Sequence, residues 1–187
     1  MRVCRDAGAR CQTVIVRFLT IVRHAKAEKD SDDGSDFTRA LNGRGRRQCE
    51  VLREWASNDE ELGQFGPTTA LVSAAARTAE TFQLAFEGTS FVRDVHHSAL
   101  IYNGRRRVTA EDVLADLAGV DPVTSSLLVI GHNPTVLELL LTLASDLPIE
   151  FAHEYPLAGA YVLALRDNEP VGLGPYEFVR RYVPDVS

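Results

Sequence analysis

Three times in this chain a short apolar run ends at a basic side chain and gives way to a helical pattern. Phe18-Leu19-Thr20-Ile21-Val22 runs into Arg23-His24-Ala25-Lys26. Thr69 to Val72 leads through Ser73 to Arg77, with Ala79, Phe82 and Phe86 at helical spacing. Leu127-Leu128-Val129-Ile130 runs into Gly131-His132-Asn133-Pro134, followed by Leu137, Leu140, Leu141 and Ala144 as an apolar helix face. Apolar runs of this length, rich in β-branched residues, read as buried strands. Strands alternating with helices predict a mainly parallel central sheet covered on both faces. The expected fold class is therefore α/β, a three-layer αβα sandwich.

The basic residues sit where such folds bind ligands, beyond the carboxyl ends of the strands. An Arg beside a His at that edge suits an anion, and phosphate is the commonest one. The alternative is a strand end whose side chains simply reach solvent. Arg77 falls in the first turn of its helix, where a cation opposes the macrodipole. An anion held by the free N–H groups and the guanidinium together would reverse that balance. The alternative here is a surface Arg paired with Glu80. His132 precedes the third helix, with Asn133 as expected N-cap and Pro134 as first helical residue. Gly131 allows close backbone approach. A lone His in such a place is often a structural hydrogen-bonding residue.

Taken in order, these segments resemble the histidine phosphatase superfamily, whose signature is an Arg-His-Gly or Arg-His-Ala element after the first strand. Arg23-His24-Ala25-Lys26 has the form typical of its SixA-type phosphohistidine phosphatase branch. The segment Asp36-Phe37-Thr38-Arg39-Ala40-Leu41-Asn42-Gly43-Arg44-Gly45 resembles the approach to the first helix in that branch. Ser73 with Arg77-Thr78 and Thr81 resembles the second-strand arginine motif, and Gly131-His132-Asn133-Pro134 the last histidine motif. The resemblance spans roughly residues 18 to 165.

It implies a phosphoglycerate mutase-like fold and a metal-independent phosphatase that needs no cofactor. His24 would be the nucleophile and become transiently phosphorylated. Arg23, Arg77 and His132 would bind the phosphoryl oxygens. This suits phosphoryl transfer, in which charge spreads over three equatorial oxygens and fixed cations do most of the stabilising. A neutral His24 needs an acceptor on its other ring nitrogen, such as a backbone carbonyl, to fix the tautomer. Many members of the superfamily carry a Glu general acid after the third strand, and Ala99 occupies the matching position here. Asp94, Glu28 and Asp36 remain as conceivable donors. An alkoxide needs an acid badly, whereas an imidazole leaves more easily. The gap therefore favours phosphohistidine as substrate, with a histidine-containing phosphotransfer protein as the implied partner. The alternatives are a small-molecule phosphomonoesterase of the same superfamily and a phosphate- or phosphoprotein-binding module with weak turnover.

At 187 residues the chain suits one domain over 14–187, preceded by a tail at 1–13. A net charge of −6 argues against a general nucleic-acid binder. Two local basic clusters, Arg44/Arg46/Arg47 and Arg105/Arg106/Arg107, read as solvated faces, or as contacts to an acidic partner or a second phosphate. Cys4, Cys11 and Cys49 have no disulfide or zinc spacing and point to the cytoplasm, with Cys49 in a helical core position. No apolar run is long enough to span a membrane, and Val14-Ile15-Val16 is cut by Arg17.

The remaining elements follow from the pattern. A first helix is expected over Gly43–Ala56 with Leu52 and Trp55 inward, and a third strand over Phe91–Val95. Asn58 to Gly66 reads as an acidic connection. Thr109-Ala110-Glu111-Asp112 predicts a capping box opening a helix to Gly119, with Val113, Leu114 and Leu117 inward. Late strands are expected over Ala160–Leu165 and Phe178–Val183. His96 and His97 point opposite ways in extended chain, so at most one faces a site. His153 is a candidate for an entrance, and Lys26 for a phosphate contact. Specificity is expected to reside in Lys29–Ser35 and His96–Arg107. The sequence does not set the oligomeric state.

Overall fold

The computed structural model describes residues 18–58, 62, 68–104, 106–119, 126–165 and 175–186. Six strands form one sheet: β1 (Phe18–Arg23), β2 (Thr68–Ser73), β3 (Val92–Ser98), β4 (Ser126–Gly131), β5 (Ala160–Leu165) and β6 (Tyr176–Tyr182). Their order is β3-β2-β4-β1-β5-β6. The β1–β4, β2–β4 and β2–β3 pairings are parallel. β5 and β6 add an antiparallel edge next to β1. Among the described residues the sheet is joined by the helices α1 (Gly43–Asn58), α2 (Ala76–Ala85), α3 (Ala110–Gly119) and α4 (Thr135–Leu143).

Side-chain alternation explains the layers. Leu19 and Ile21 of β1 join Leu71, Leu127 and Val129 in one apolar cluster with Val113, Leu117, Leu139 and Leu143 of α3 and α4. Val22 joins Ala70, Val72, Leu128 and Ile130 in a second cluster with Cys49, Leu52 and Phe82 of α1 and α2. Strands whose two faces are both covered must be apolar at nearly every position. β4 follows this closely, and both β2 and β4 are buried along their whole length, β2 with Thr68, Thr69 and Ser73 as buried polar residues. The αβα sandwich expected from the sequence is the one observed.

Several local readings need correction. The third strand runs on to Ser98, so His96 and His97 lie within it. They do point opposite ways, and the His97 ring meets the edge of Phe82 at 5.9 Å. The buried face of α4 is Val136, Leu139, Leu140 and Leu143, whereas Leu141 is exposed. Leucines surround this helix, so periodicity alone could not set its phase. Pro134, not Asn133, occupies the N-cap of α4, and no side chain caps it. The last strand begins at Tyr176 rather than Phe178. Trp55 is half-buried, stacked on Tyr182 with ring centroids 4.8 Å apart.

Other readings hold. The Thr109–Asp112 capping box forms in both directions: Thr109 N–H donates to Asp112 Oδ2 at 2.9 Å and Asp112 N–H to Thr109 Oγ1 at 3.3 Å. Arg44, Arg46, Arg47, Arg106 and Arg107 of the two basic clusters face solvent, with Arg46 paired to Glu80, Arg106 to Asp112 and Arg107 to Glu138. Among the described residues, no helix is long and apolar enough to cross a membrane. The tail at 1–13, Val14–Val16, Cys4, Cys11, Arg105 and most of the Asn58–Gly66 connection lie outside the described residues.

The segment after β1 is fixed by the start of α1. Asn42 caps that helix, its Oδ1 accepting from the Gly45 N–H at 2.9 Å. The Asn42 N–H donates to the Lys26 carbonyl at 3.0 Å, and the Lys26 N–H donates to Gln48 Oε1 at 3.0 Å. This close approach requires a glycine, because a Cβ at Gly45 would lie 2.0 Å from the Lys26 carbonyl oxygen. The overlap is with backbone and cannot be relieved by a side-chain rotation. Gly45→Ala is expected to destabilise the fold by about 1–3 kcal/mol. A urea midpoint equal to that of the parent would show that the approach is not tight.

Candidate active site

β1, β4 and β2 end side by side. Arg23 pairs in register with Gly131, and Val72 with Ile130. The residues just beyond therefore meet above the centre of the sheet. There a cleft of about 750 Å³ is lined by Arg23, His24, Arg77 and His132, the four residues singled out in the sequence. Lys26, Arg39, Asp36, Phe37 and Tyr102 complete its chemistry.

His24 is held by its own backbone. Its Nδ1 lies 2.8 Å from the Ala25 carbonyl. A carbonyl only accepts, so Nδ1 carries the proton and Nε2 keeps a lone pair. The ring is also pushed toward the neutral form. Burial, partly opposed by the Ala25 bond and aided by the charges of Arg77, Arg23 and Arg39, lowers its pKa to about 4. The next peptide is clamped too, since the Ala25 N–H donates to Thr81 Oγ1 at 3.0 Å.

The cations come from separate elements. Arg23, at the end of β1, donates to the Tyr155 carbonyl at 2.6 Å. Tyr155 is itself locked, its buried hydroxyl donating to the Ile21 carbonyl at 2.5 Å. Arg77, in the first turn of α2, is 4% exposed. It donates to the Asp36 carbonyl at 2.7 Å and to Asp36 Oδ2 at 3.0 Å. The surface pair with Glu80 does not form, because Glu80 instead accepts from Arg46 and from the Leu41 N–H. His132 is 3% exposed, its Nε2 2.9 Å from Ser73 Oγ and its ring centroid 5.1 Å from that of His24. Burial and the neighbouring His24, Arg77 and Arg23 lower its pKa to about 2, against an opposing pull from Asp36. Three buried nitrogens of this group have no hydrogen-bond partner: Arg23 Nε, Arg77 Nε and His132 Nδ1.

Among the described residues, Asp36 is the only carboxylate lining the cleft. Its Oδ1 accepts from Arg39 Nε at 2.8 Å, and its Oδ2 accepts from Arg77 and from the Tyr102 hydroxyl at 2.8 Å. Desolvation works against its charge, but Tyr102, Arg39 and Arg77 outweigh it and hold the pKa at about 2. Asp36 is thus ionised and fully engaged, which removes it as the proton donor considered from the sequence. Glu28 and Asp94 lie outside the cleft, Asp94 pairing with Arg93. Ala99 is also outside. The wall expected from that loop is built by Tyr102, Asn103 and Gly104.

Asn103 fixes the loop. Its Nδ2 donates to Thr135 Oγ1 at 2.7 Å and its Oδ1 accepts from the Val108 N–H at 2.8 Å. Among the described residues, the two specificity segments reach the cleft through Ser35 and through Tyr102–Gly104, while His96, His97 and His153 do not line it. Among the described residues, no cluster of three or more His, Cys, Asp or Glu side chains is placed to hold a metal.

This architecture has known counterparts. A structure from Agrobacterium tumefaciens, provisionally assigned as the phosphohistidine phosphatase SixA, shares 24% identity. Its TM-score is 0.70, over 90% of this chain and 99% of that one. The protein histidine phosphatase SixA complexed with tungstate is 19% identical, with a TM-score of 0.67 over 89% of this chain and 96% of its own. A mycobacterial glucosyl-3-phosphoglycerate phosphatase in complex with VO3 is 16% identical, with a TM-score of 0.55 over 91% of this chain and 100% of its own. This is the histidine phosphatase fold. No family model and no curated protein sequence matches the chain. The histidine phosphatase fold accounts for the order of the three strand-turn-helix units.

The two ring pKa values carry a sign. A histidine whose folded pKa lies below 6.5 binds fewer protons folded than unfolded, so stability is full above pH 6.5 and lost as pH falls toward 4. Each of His24 and His132 contributes about 1.4 kcal/mol per pH unit in that window. Ring-nitrogen NMR is expected to show His24 as the neutral Nδ1–H tautomer at pH 6, with no titration above pH 5. An imidazolium signal from His24 at pH 6 would contradict this site.

Proposed function

We propose that the protein is a phosphatase that cleaves phosphohistidine through a phosphorylated His24. The observation that carries this reading is the state of His24: neutral, with its proton on the side facing Ala25, inside a cleft lined by Arg23, Lys26, Arg39, Arg77 and the ion-paired Asp36. Such a nitrogen is a competent nucleophile. Tungstate, bound by one of the structural counterparts, is a tetrahedral dianion like phosphate. That supports an oxyanion as the natural occupant of the fold.

In this mechanism Nε2 of His24 attacks phosphorus and the P–N bond to the substrate ring breaks. The bonding electrons go to that ring. If its distal nitrogen carries a proton, it departs as neutral imidazole. Water then attacks the phosphorylated His24, releasing phosphate and a proton and restoring the free Nε2. Arg23, Arg77 and His132 hold the equatorial oxygens through both steps, with Lys26 and Arg39 adding charge. Their unpartnered nitrogens at Arg23 Nε, Arg77 Nε and His132 Nδ1 fit that task. Ser73, donating to His132 Nε2, would leave the Nδ1–H of that ring for a phosphoryl oxygen. The guanidinium groups supply the positive charge, so the scheme is metal-independent.

The leaving group decides the substrate class. An alkoxide must be protonated as it departs, and Asp36, the carboxylate found in the cleft among the described residues, is held ionised by two arginines. An imidazole has no such need. The corresponding macromolecular partner is a histidine-containing phosphotransfer protein. A reducing compartment, the cytoplasm, suits the buried free thiol of Cys49.

Phosphate release is expected from a phosphohistidine peptide without added metal, ahead of a panel of alkyl phosphates, and is expected to vanish in His24→Asn. Arg77→Ala is expected to lower kcat by about 10²–10³-fold, the usual effect of deleting one fixed donor to a developing anion. Faster turnover of alkyl phosphates would assign the site to a small-molecule phosphomonoesterase. Tight oxyanion binding without turnover would assign it to a binding module.

A further inference from the structure

Tyr102 enters the cleft from the loop after β3, 66 residues from the carboxylate it bonds. The direction of that hydrogen bond is fixed. Asp36 is paired with Arg39 and Arg77 and is ionised, so it has no proton to give. The hydrogen between the two groups belongs to the phenol. Tyr102 has therefore spent its only donor on Asp36, and what its Oη has left is acceptor capacity. The carboxylate behind it polarises the O–H bond and makes that oxygen a better acceptor. The ring is fixed from three sides: by the Phe37 edge at 4.9 Å, by His132 at 5.8 Å and by the Arg77 guanidinium at 5.9 Å. His132 and Arg77 are the groups assigned to the phosphoryl oxygens, and His132 also packs against His24. The phenol oxygen thus stands beside the phosphoryl site, on the same wall as the loop that replaces the expected acid.

Building on the phosphohistidine reading above, we infer that Tyr102 determines leaving-group specificity: its Oη accepts the distal N–H of the departing imidazole. An accepting oxygen there favours a leaving group that carries an N–H. It also gives nothing to a departing ester oxygen, which needs a donor. The bond keeps the proton on the substrate ring while the P–N bond breaks. The electron pair passes to the phosphorus-bound nitrogen, and the ring leaves neutral with its own proton. Asp36 acts through Tyr102 as a positioning residue: it orients the hydroxyl hydrogen away from the cleft and holds Arg77 at the same time.

The test compares kcat/KM, which reports events up to the first transfer, for a phosphohistidine peptide and for p-nitrophenyl phosphate, whose leaving group needs neither donor nor acceptor. In Tyr102→Phe, the loss on phosphohistidine is expected to exceed the loss on the aryl ester by about tenfold, the effect of one hydrogen bond made to the reacting group. In Asp36→Asn the amide N–H can donate to the phenol and free its hydrogen for the cleft. The same selectivity is expected to fall there in the same direction. Equal losses on both substrates in both variants would make Tyr102 a structural residue and overturn the inference. Failure of the underlying reading looks different: the parent protein would then hydrolyse no phosphohistidine at all.

Discussion

The hydrogen bond from Nδ1 of His24 to the carbonyl of Ala25 sets what the rest of the site can do. It places the proton on one side of the ring and leaves a lone pair on the other. It also fixes the ring relative to the end of β1, because donor and acceptor belong to consecutive residues. Everything around it keeps this arrangement in place. Thr81 holds the Ala25 N–H, Gln48 and Asn42 hold Lys26, and Gly45 lets α1 come close enough for both. The proposed nucleophile is thus oriented by the backbone of the strand-to-helix connection, through the Ala25 carbonyl, and not by a carboxylate.

The second constraint is electrostatic. A chain of net charge −6 gathers Arg23, Lys26, Arg39 and Arg77 around one cleft. Cations so close together repel one another and, with burial, disfavour a proton on His24. Asp36 relieves part of this by neutralising Arg39 and Arg77, and in doing so loses any use as an acid. One carboxylate thereby tunes two functions. It offsets the charge of the cationic cluster, and it turns the Tyr102 hydroxyl into an acceptor.

Much of this was legible in the sequence, and the reason is local. The runs leading into Ser73 to Arg77 and into Gly131-His132 carry strand, side chain and helix start within about ten residues each, and Phe18–Val22 leads directly into Arg23-His24, although its helix starts only at Gly43. Parallel pairing of β1, β4 and β2 then brings their carboxyl ends together without further information. The links that could not be read are long-range. Nothing near Tyr102 signals that it bonds Asp36, although the Asp36-x-x-Arg39 spacing hints at a local ion pair. Leucines around α4 hide its buried face, and β3, an exposed edge strand, lacks the apolar alternation that would mark its end. Ala99 drew attention as a missing acid, whereas the loop answers chemically three residues later, at Tyr102.

The central claim is that His24 is the covalent nucleophile. Rapid quench of the protein during turnover of a phosphohistidine peptide, followed by mass spectrometry, tests it directly. The account predicts an acid-labile, base-stable phosphoryl group on His24. Turnover with no such adduct, or with phosphate on another residue, would contradict it.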